Sequence, residues 1–256
     1  FNEEKNIGEC LESVRDLAEE IVVVDGSSTD KTVEIARKYG AKVIVTDNPP
    51  IFHINKQKAI DKCHGEWILQ LDADERVTPE LKKEIKSTIE QSNNKTINAY
   101  FIPRKNYFLG RWLKKTGQYP DGVIRFFKKG KAWLPCKSVH EQMKVKGKVG
   151  WLKGHLLHYP YPSFSEYLKK SNRYTTLAAQ EMLEKGNKPS FLGYFLAEWR
   201  AIKTFLLLFI RHKGFMDGFP GFVFSLYSGL HHISAYVKFW ELYYQKRKVD
   251  IKKDWE

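Results

Sequence analysis

The sequence predicts an α/β protein: a mostly parallel, Rossmann-like sheet flanked by helices, followed by a helical C-terminal region. Three observations carry that expectation. Short apolar runs that read as buried strands alternate with segments of helical periodicity as far as Glu90, the pattern of a sheet built with crossover helices. Two of those runs, Ile21-Val22-Val23-Val24 and Trp67-Ile68-Leu69-Gln70-Leu71, stop abruptly in acid, at Asp25 and Asp72. Beyond residue 160 the short runs give way to long stretches of helical spacing. The chain of 256 residues is long enough for one large domain, or a domain with an appendage, around a sizeable core. Its texture divides it at 1–97, 98–160 and 161–256.

In chain order, residues 3–19 place Ile7, Cys10, Leu11, Val14, Leu17 and Ala18 at helical spacing behind Asn2 or Asn6 as N-cap. Glu20 to Asp25 reads as a strand buried on both faces, ending in the small-residue turn Gly26-Ser27-Ser28. A helix over Thr32 to Tyr39 closes on Gly40, and Lys42 to Thr46 resumes as a strand, completing a βαβ unit. After Pro49-Pro50, a short helix around Asn55 to Cys63 ends at Gly65 and leads into the strand that stops at Asp72. Thr78-Pro79-Glu80 begins the next helix, with Thr78 as N-cap and Pro79 at the first helical position. From Asn98 the runs are shorter, at 99–102, 123–127 and 143–151; in the last, Val145 and Val149 flank Gly147 and predict a hairpin.

Charge narrows the functional classes. The formal net charge is +13, and from Arg104 to Lys153 fourteen Lys or Arg face only Asp121 and Glu141, so that segment alone carries +12. Such a surface suits phosphates, whether in a nucleotide, an anionic lipid headgroup or a nucleic acid; a merely solvated basic face weighs about the same. Cys10, Cys63 and Cys136 are scattered without metal-ligand spacing and read as reduced thiols of a cytosolic protein, with no zinc site. The chain opens on Phe1 with no charged-then-apolar leader, and its start reads as truncated.

The acids carry the chemistry. Asp72, Asp74 and Glu75 place three carboxylates within four residues at a strand's carboxyl end, the edge where open α/β sheets bind ligands. Like charges this close repel unless a cation holds them, and hard oxygen ligands favour Mg²⁺ or Mn²⁺ shared with a substrate's phosphates. A solvated acidic turn is the commoner meaning of an isolated Asp-x-Asp. Neither glycine-rich phosphate loop is present, so any bound nucleotide would depend on carboxylates and metal instead. Glu141 is a candidate general base, with an ion-pair partner of a neighbouring Lys as the equal alternative. His140 alone is more often structural; beside an acid it is a candidate ligand for the metal or for phosphate.

Four segments have a recognisable order: Phe1-Asn2-Glu3-Glu4-Lys5-Asn6-Ile7, then Ile21 to Thr32, then Leu71-Asp72-Ala73-Asp74-Glu75-Arg76, and Val139-His140-Glu141. Together they resemble the family 2 glycosyltransferases of GT-A fold, most closely the bacterial lipopolysaccharide core β-glucosyltransferases. The resemblance implies a nucleotide-sugar-binding half over 1–97 and an acceptor-side half over 98–160. It implies that Asp25 hydrogen-bonds a uracil, with Phe1, Asn2 and Glu3 lining the base and ribose pocket. Asp72 would lie near the ribose, and Asp74 would reach a divalent metal that bridges the two phosphates. Glu141 or Asp121 would be the base, and Arg125 would meet the departing diphosphate. The family's strand before the Asn-Glu motif is missing here. The implied reaction is inverting transfer of glucose from a UDP-sugar to a lipid-linked or lipopolysaccharide-core glycan.

Residues 163–186 and 190–212 predict two helices, the second ending in Phe205 to Ile210 and then Arg211-His212-Lys213. An apolar surface beside positive charge suits an interfacial helix on an anionic membrane. Residues 218–237 hold no Asp, Glu, Lys or Arg, but Pro220, Gly221, Gly229, His231, His232 and three serines oppose insertion. From the residues alone both stretches read as membrane-surface elements or as ordinary packed helices; with the resemblance, a peripheral position at the inner face of a bacterial membrane is implied, with His231-His232 structural and 246–256 a charged tail. The rival readings are a nucleotidyltransferase, an inactive relative, and a nucleic-acid-binding protein stacking bases on Tyr107, Trp112, Tyr119 and Trp133.

Overall fold

The computed structural model describes residues 1–91, 96–137 and 141–245 and divides into two compact units, Phe1–Lys105 with Asp121–His158, and Asn106–Pro120 with Tyr159–Glu256. The first unit opens with helix α1 (Ile7–Glu12), which buries Ile7, Cys10 and Leu11. This helix is shorter than its periodicity predicts. Ser13 Oγ donates to the Cys10 carbonyl at 2.7 Å and accepts the Val77 N–H at 3.0 Å, tying the helix end to a strand instead of to a further turn. Val14 is buried all the same.

Strand β1 (Val22–Asp25), helix α2 (Thr32–Lys38) and strand β2 (Lys42–Val45) form the expected βαβ unit, with parallel register from Val22↔Lys42 to Asp25↔Val45. Helix α3 (His53–Lys62) precedes β3 (Trp67–Leu69), and β4 (Glu75–Val77) leads into helix α4 (Pro79–Glu90). Thr78 caps α4 as expected, its side chain accepting the Leu81 N–H at 3.3 Å. The long strand β5 (Ile97–Phe108) begins in the first unit and ends in the second, where β6 (Arg111–Trp112) pairs with it. Strands β7 (Asp121–Lys128), β8 (Ala132–Trp133), β9 (Lys144–Val145), β10 (Lys148–Trp151) and β11 (Leu156–His158) complete the first unit.

The fold is mixed α/β, with the main sheet ordered β3-β7-β5-β11-β4. Parallel pairing is found in β1–β2 and β5–β10, whereas β3–β7, β5–β7 and β4–β11 are antiparallel. Adjacent residues of β7 face opposite sides. Phe126 packs with Leu81 and Ile85 of α4, and Phe127 with Ile60 of α3, so helices cover both faces of the sheet. The hairpin expected over 143–151 does not form. β9 pairs with β8, while β10 pairs with β5. Gly147, at φ +114°, redirects the chain, the Asn98 amide donates to the Lys146 carbonyl at 2.7 Å, and Trp151 stacks on Phe101 at 4.8 Å.

The second unit is mainly helical: α5 (Phe164–Glu184), α6 (Phe191–Leu206) continued by a π turn at Leu207–Arg211, a 3₁₀ turn at Gly214–Asp217, and α7 (Gly218–Gln245). Ser163 and Ser190 cap α5 and α6 through their hydroxyls. One core joins Ala179, Ala197, Tyr236, Phe239 and Leu242; a second joins Phe108, Leu113, Tyr167 and Val223. Buried Asp217 accepts the backbone N–H groups of Lys114 and Lys115 at 3.1 and 2.8 Å. His232 Nε2 and Thr204 Oγ1 share a hydrogen bond of 3.0 Å between α7 and α6. Of the aromatic residues considered as stacking platforms, Tyr107 stacks on Tyr159 at 4.7 Å and Trp112 meets Tyr119 edge-on at 5.3 Å. Among the described residues no helix is long and apolar enough to cross a membrane.

Candidate active site

The turn between β3 and β4 is held from several sides. Glu75 is fully buried, and its Oε2 accepts the Asp72 N–H at 3.0 Å, folding the acidic turn back on itself. Arg76, also buried, donates to the Ala73 and Glu75 carbonyls at 2.6 and 3.0 Å and pairs with Glu9 at 3.2 Å. The Cys10 thiol donates to the Asp72 carbonyl at 3.4 Å; burial pushes its pKa up to about 12, keeping it protonated as a donor.

A chain of ion pairs runs out from this turn. Asp72 meets Lys56 Nζ at 2.5 Å through Oδ1 and Arg125 Nη2 at 2.5 Å through Oδ2. The Arg125 guanidinium also reaches Glu75 at 2.9 Å and donates to the Gln70 side-chain carbonyl. Glu75 in turn meets Arg104 at 3.2 Å, and Arg104 donates from Nε and Nη2 to Asp121 Oδ2 at 3.0 and 2.7 Å. Burial opposes ionisation of Asp72, but Arg125 and then Lys56 outweigh it and hold the carboxyl well below the usual range. Burial likewise opposes the charge on Arg125, and Asp72 and Glu75 hold it positive. The structure therefore joins Asp72, Arg125 and Asp121 in one network, with β3, β7 and β5 adjacent in the sheet.

The N-terminal segment lies over the turn that follows β1. Buried Asp25 accepts the Ser28 N–H at 2.7 Å and its hydroxyl at 2.5 Å. Asn2, at φ +53°, donates its N–H to Ser28 Oγ at 2.8 Å and accepts the Thr29 N–H at 2.9 Å. The Glu3 N–H donates to Thr32 Oγ1 at 2.7 Å, and Phe1 is exposed beside them. Asp25, Asn2 and Glu3 are thus brought onto one turn. Glu141 lies on the stretch leading to β9 and accepts the Lys137 N–H at 2.6 Å. His140 lies outside the described residues, as do Val139 and residues 246–256.

Asp74 has a partner that sequence reasoning missed. Its Oδ2 lies 3.5 Å from His158 Nε2, and both side chains are largely buried. The described residues contain no group of three or more His, Cys, Asp or Glu able to hold a metal ion. The Asp74 carboxylate fits Mg²⁺ or Mn²⁺, which complete their shell with water and substrate phosphates, and the His158 imidazole, a softer donor, suits Mn²⁺ better than Mg²⁺. Lys56 and Arg104 were missed as well, and Glu75, expected only as one of three carboxylates in a row, proves to be the buried partner of two arginines. Nothing local marks them, since their partners come from other strands and helices; a buried acid or arginine needs a countercharge, and that rule could have prompted the search.

The family model described as glycosyl transferase family 2 matches residues 1–144. An uncharacterized glycosyltransferase of Rickettsia typhi is 30% identical over 97% of this chain and 87% of its own length. The lipopolysaccharide core biosynthesis glycosyltransferase LpsC of Rhizobium meliloti is 29% identical over 98% of this chain and 93% of its own. A crystal structure of S. aureus TarS, residues 1–349, aligns with TM-score 0.46 and 18% identity over 98% of this chain and 92% of that one. With the family model spanning more than half of its length, this chain belongs to glycosyltransferase family 2.

Proposed function

We propose that this glycosyltransferase moves glucose from UDP-glucose to a lipopolysaccharide-core or other lipid-linked glycan, with inversion, working peripherally at the cytoplasmic face of the inner membrane. The observation that carries the reading is the Asp74–His158 pair, an oxygen and a nitrogen donor 3.5 Å apart in the turn that follows β3 and at the end of β11. Similarity to LpsC, a lipopolysaccharide core biosynthesis glycosyltransferase, supports the acceptor class. In this reading residues 1–97 form the donor half and 98–160 the acceptor side. Phe1, Asn2, Glu3 and Asp25 line the base and ribose, and Asp72, fixed by Lys56, Gln70 and Arg125, has one lone pair left to receive a ribose hydroxyl. Asp74 and His158 would hold a divalent cation, which would supply charge neutralisation to the departing diphosphate.

The acceptor hydroxyl gives its proton to a carboxylate as its oxygen bonds to the anomeric carbon, and the bond from that carbon to the diphosphate breaks on the opposite face. We assign the proton to Glu141. Asp121 has its Oδ2 engaged twice by Arg104, which suits it to positioning the network. Arg125 acts there too, holding Asp72 rather than reaching into solvent. The test is release of UDP from UDP-glucose in the presence of a truncated lipopolysaccharide core. Glu141→Gln should lower kcat by about a hundredfold or more with KM for the donor unchanged, and Asp121→Asn should cost less. An active Glu141→Gln enzyme beside an inactive Asp121→Asn would transfer the base to Asp121.

A further inference from the structure

Helix α6 is packed inside out. Its inward face is made of Gly193, Ala197 and Ala201, and these small residues bring the helix hard against α7: a Cβ on Gly193 would meet the Tyr236 hydroxyl at 2.1 Å, and one on Gly229 would meet the Ala201 carbonyl oxygen at 2.6 Å. The large apolar residues point the other way. Leu192, Phe195, Trp199, Ile202, Leu206 and Ile210 recur at three- and four-residue spacing, and Leu192, Trp199 and Ile210 are 70%, 63% and 58% exposed. The stripe continues past the π turn to Phe215 and Phe219, exposed at 53% and 71%. A contiguous apolar surface of this kind marks an interaction face.

Charge identifies its occupant. From Phe191 to Met216 the only acid is Glu198, which is hydrogen-bonded to the Tyr194 hydroxyl, whereas Arg200, Lys203, Arg211 and Lys213 are all exposed. Apolar side chains rimmed by cations match the hydrocarbon boundary and phosphate layer of an anionic lipid surface. A two-fold contact between copies would set this basic rim against itself. No described helix can cross a bilayer, which leaves insertion to the depth of side chains.

We infer that the outward face of α6, with Phe215 and Phe219, is a docking surface that seats at the headgroup–acyl boundary of an anionic phospholipid membrane, leaving α7 as its backing. The inference deepens the membrane-linked function proposed above and rests on it for its purpose, but the observations supporting it are separate from the acidic site.

Cosedimentation of the full chain with vesicles of phosphatidylethanolamine and phosphatidylglycerol tests it, without nucleotide or acceptor. Binding is expected, with a loss of about tenfold on phosphatidylcholine vesicles or in high salt. The double substitution Trp199→Glu with Ile202→Glu should reduce partition by at least about tenfold while leaving the circular dichroism spectrum unchanged, because both side chains are more than half exposed. Arg200→Glu with Lys203→Glu should weaken binding to the anionic vesicles alone. Wild-type protein that stays in the supernatant, or a Trp199→Glu, Ile202→Glu variant that binds equally well, overturns the inference. So does a wild-type dimer that the same double variant dissociates, if neither binds vesicles. Vesicle binding by a protein without transferase activity would leave this inference standing and remove the functional reading; an active enzyme that ignores vesicles would do the reverse.

Discussion

The two units break the usual distribution of residues in opposite ways. In the first, Glu75, Arg76 and Arg125 are charged and buried, and the structure surrounds them with countercharges. In the second, α6 exposes Trp199 and Leu192 while placing Ala197 and Ala201 inside. Burying charge and exposing large apolar groups both cost free energy in water, so each inversion is informative where scattered surface leucines are not. The first inversion is compensated within the unit by ion pairs. The second has no compensation in water, which is why it points to a different solvent.

The largest effect should come from removing the compensation. Glu75→Ala would leave Arg104 and Arg125 facing each other without the carboxylate between them. Urea unfolding should report a loss of about 3–5 kcal/mol, the usual cost of stranding a buried charge. A loss under about 1 kcal/mol would mean that Asp72 and Asp121 suffice and that Glu75 is not the hub. Next in size is Gly229→Ala, which forces a methyl against the Ala201 carbonyl and should cost about 1–3 kcal/mol. A neutral result would show that α6 can lift from α7 and that its inside-out packing is not enforced by contact.

A smaller effect concerns pH. The folded-state pKa of Asp72 lies below its ordinary 3.8, so its ion pairs contribute stability in full above that value and lose it as pH falls through the lower folded value. Asp72→Asn should therefore lose less stability than the wild type between about pH 5 and pH 2, as measured by urea titration across that range. Parallel slopes for the two proteins would show that the pairs with Lys56 and Arg125 do not govern the acid limb.

Local physics accounts for what was legible before the structure. The βαβ unit, the Thr78 cap and the acidic strand end all follow from neighbouring residues: apolar runs, a hydroxyl before Pro79, carboxylates in a row. The network around them does not. Arg125 is 53 residues from Asp72, Arg104 is 29 from Glu75, and only the β3-β7-β5 order brings them together. His158 reaches Asp74 because β11 pairs with β4 in the register His158↔Glu75, and no spacing in the chain announces that pairing. The 143–151 segment failed as a hairpin for the same reason: alternation shows that two strands exist, not which neighbours they choose. For α6 the sequence showed aromatics beside basic residues, but which side faces outward depends on Gly193 and Gly229, whose role is visible only in contact with α7.

On the proposed function, Asp74 and His158 together hold the cation that binds the donor's diphosphate. The most direct measurement is the melting temperature of the wild type, Asp74→Ala and His158→Ala with UDP, each with and without Mn²⁺. The wild type should be stabilised by UDP only when the metal is present, by about 2.7 kcal/mol at a hundredfold excess over the dissociation constant, and both variants should lose that gain while retaining the unliganded melting temperature to within a few degrees. Stabilisation by UDP that is the same without metal, or that survives both substitutions, would contradict the claim.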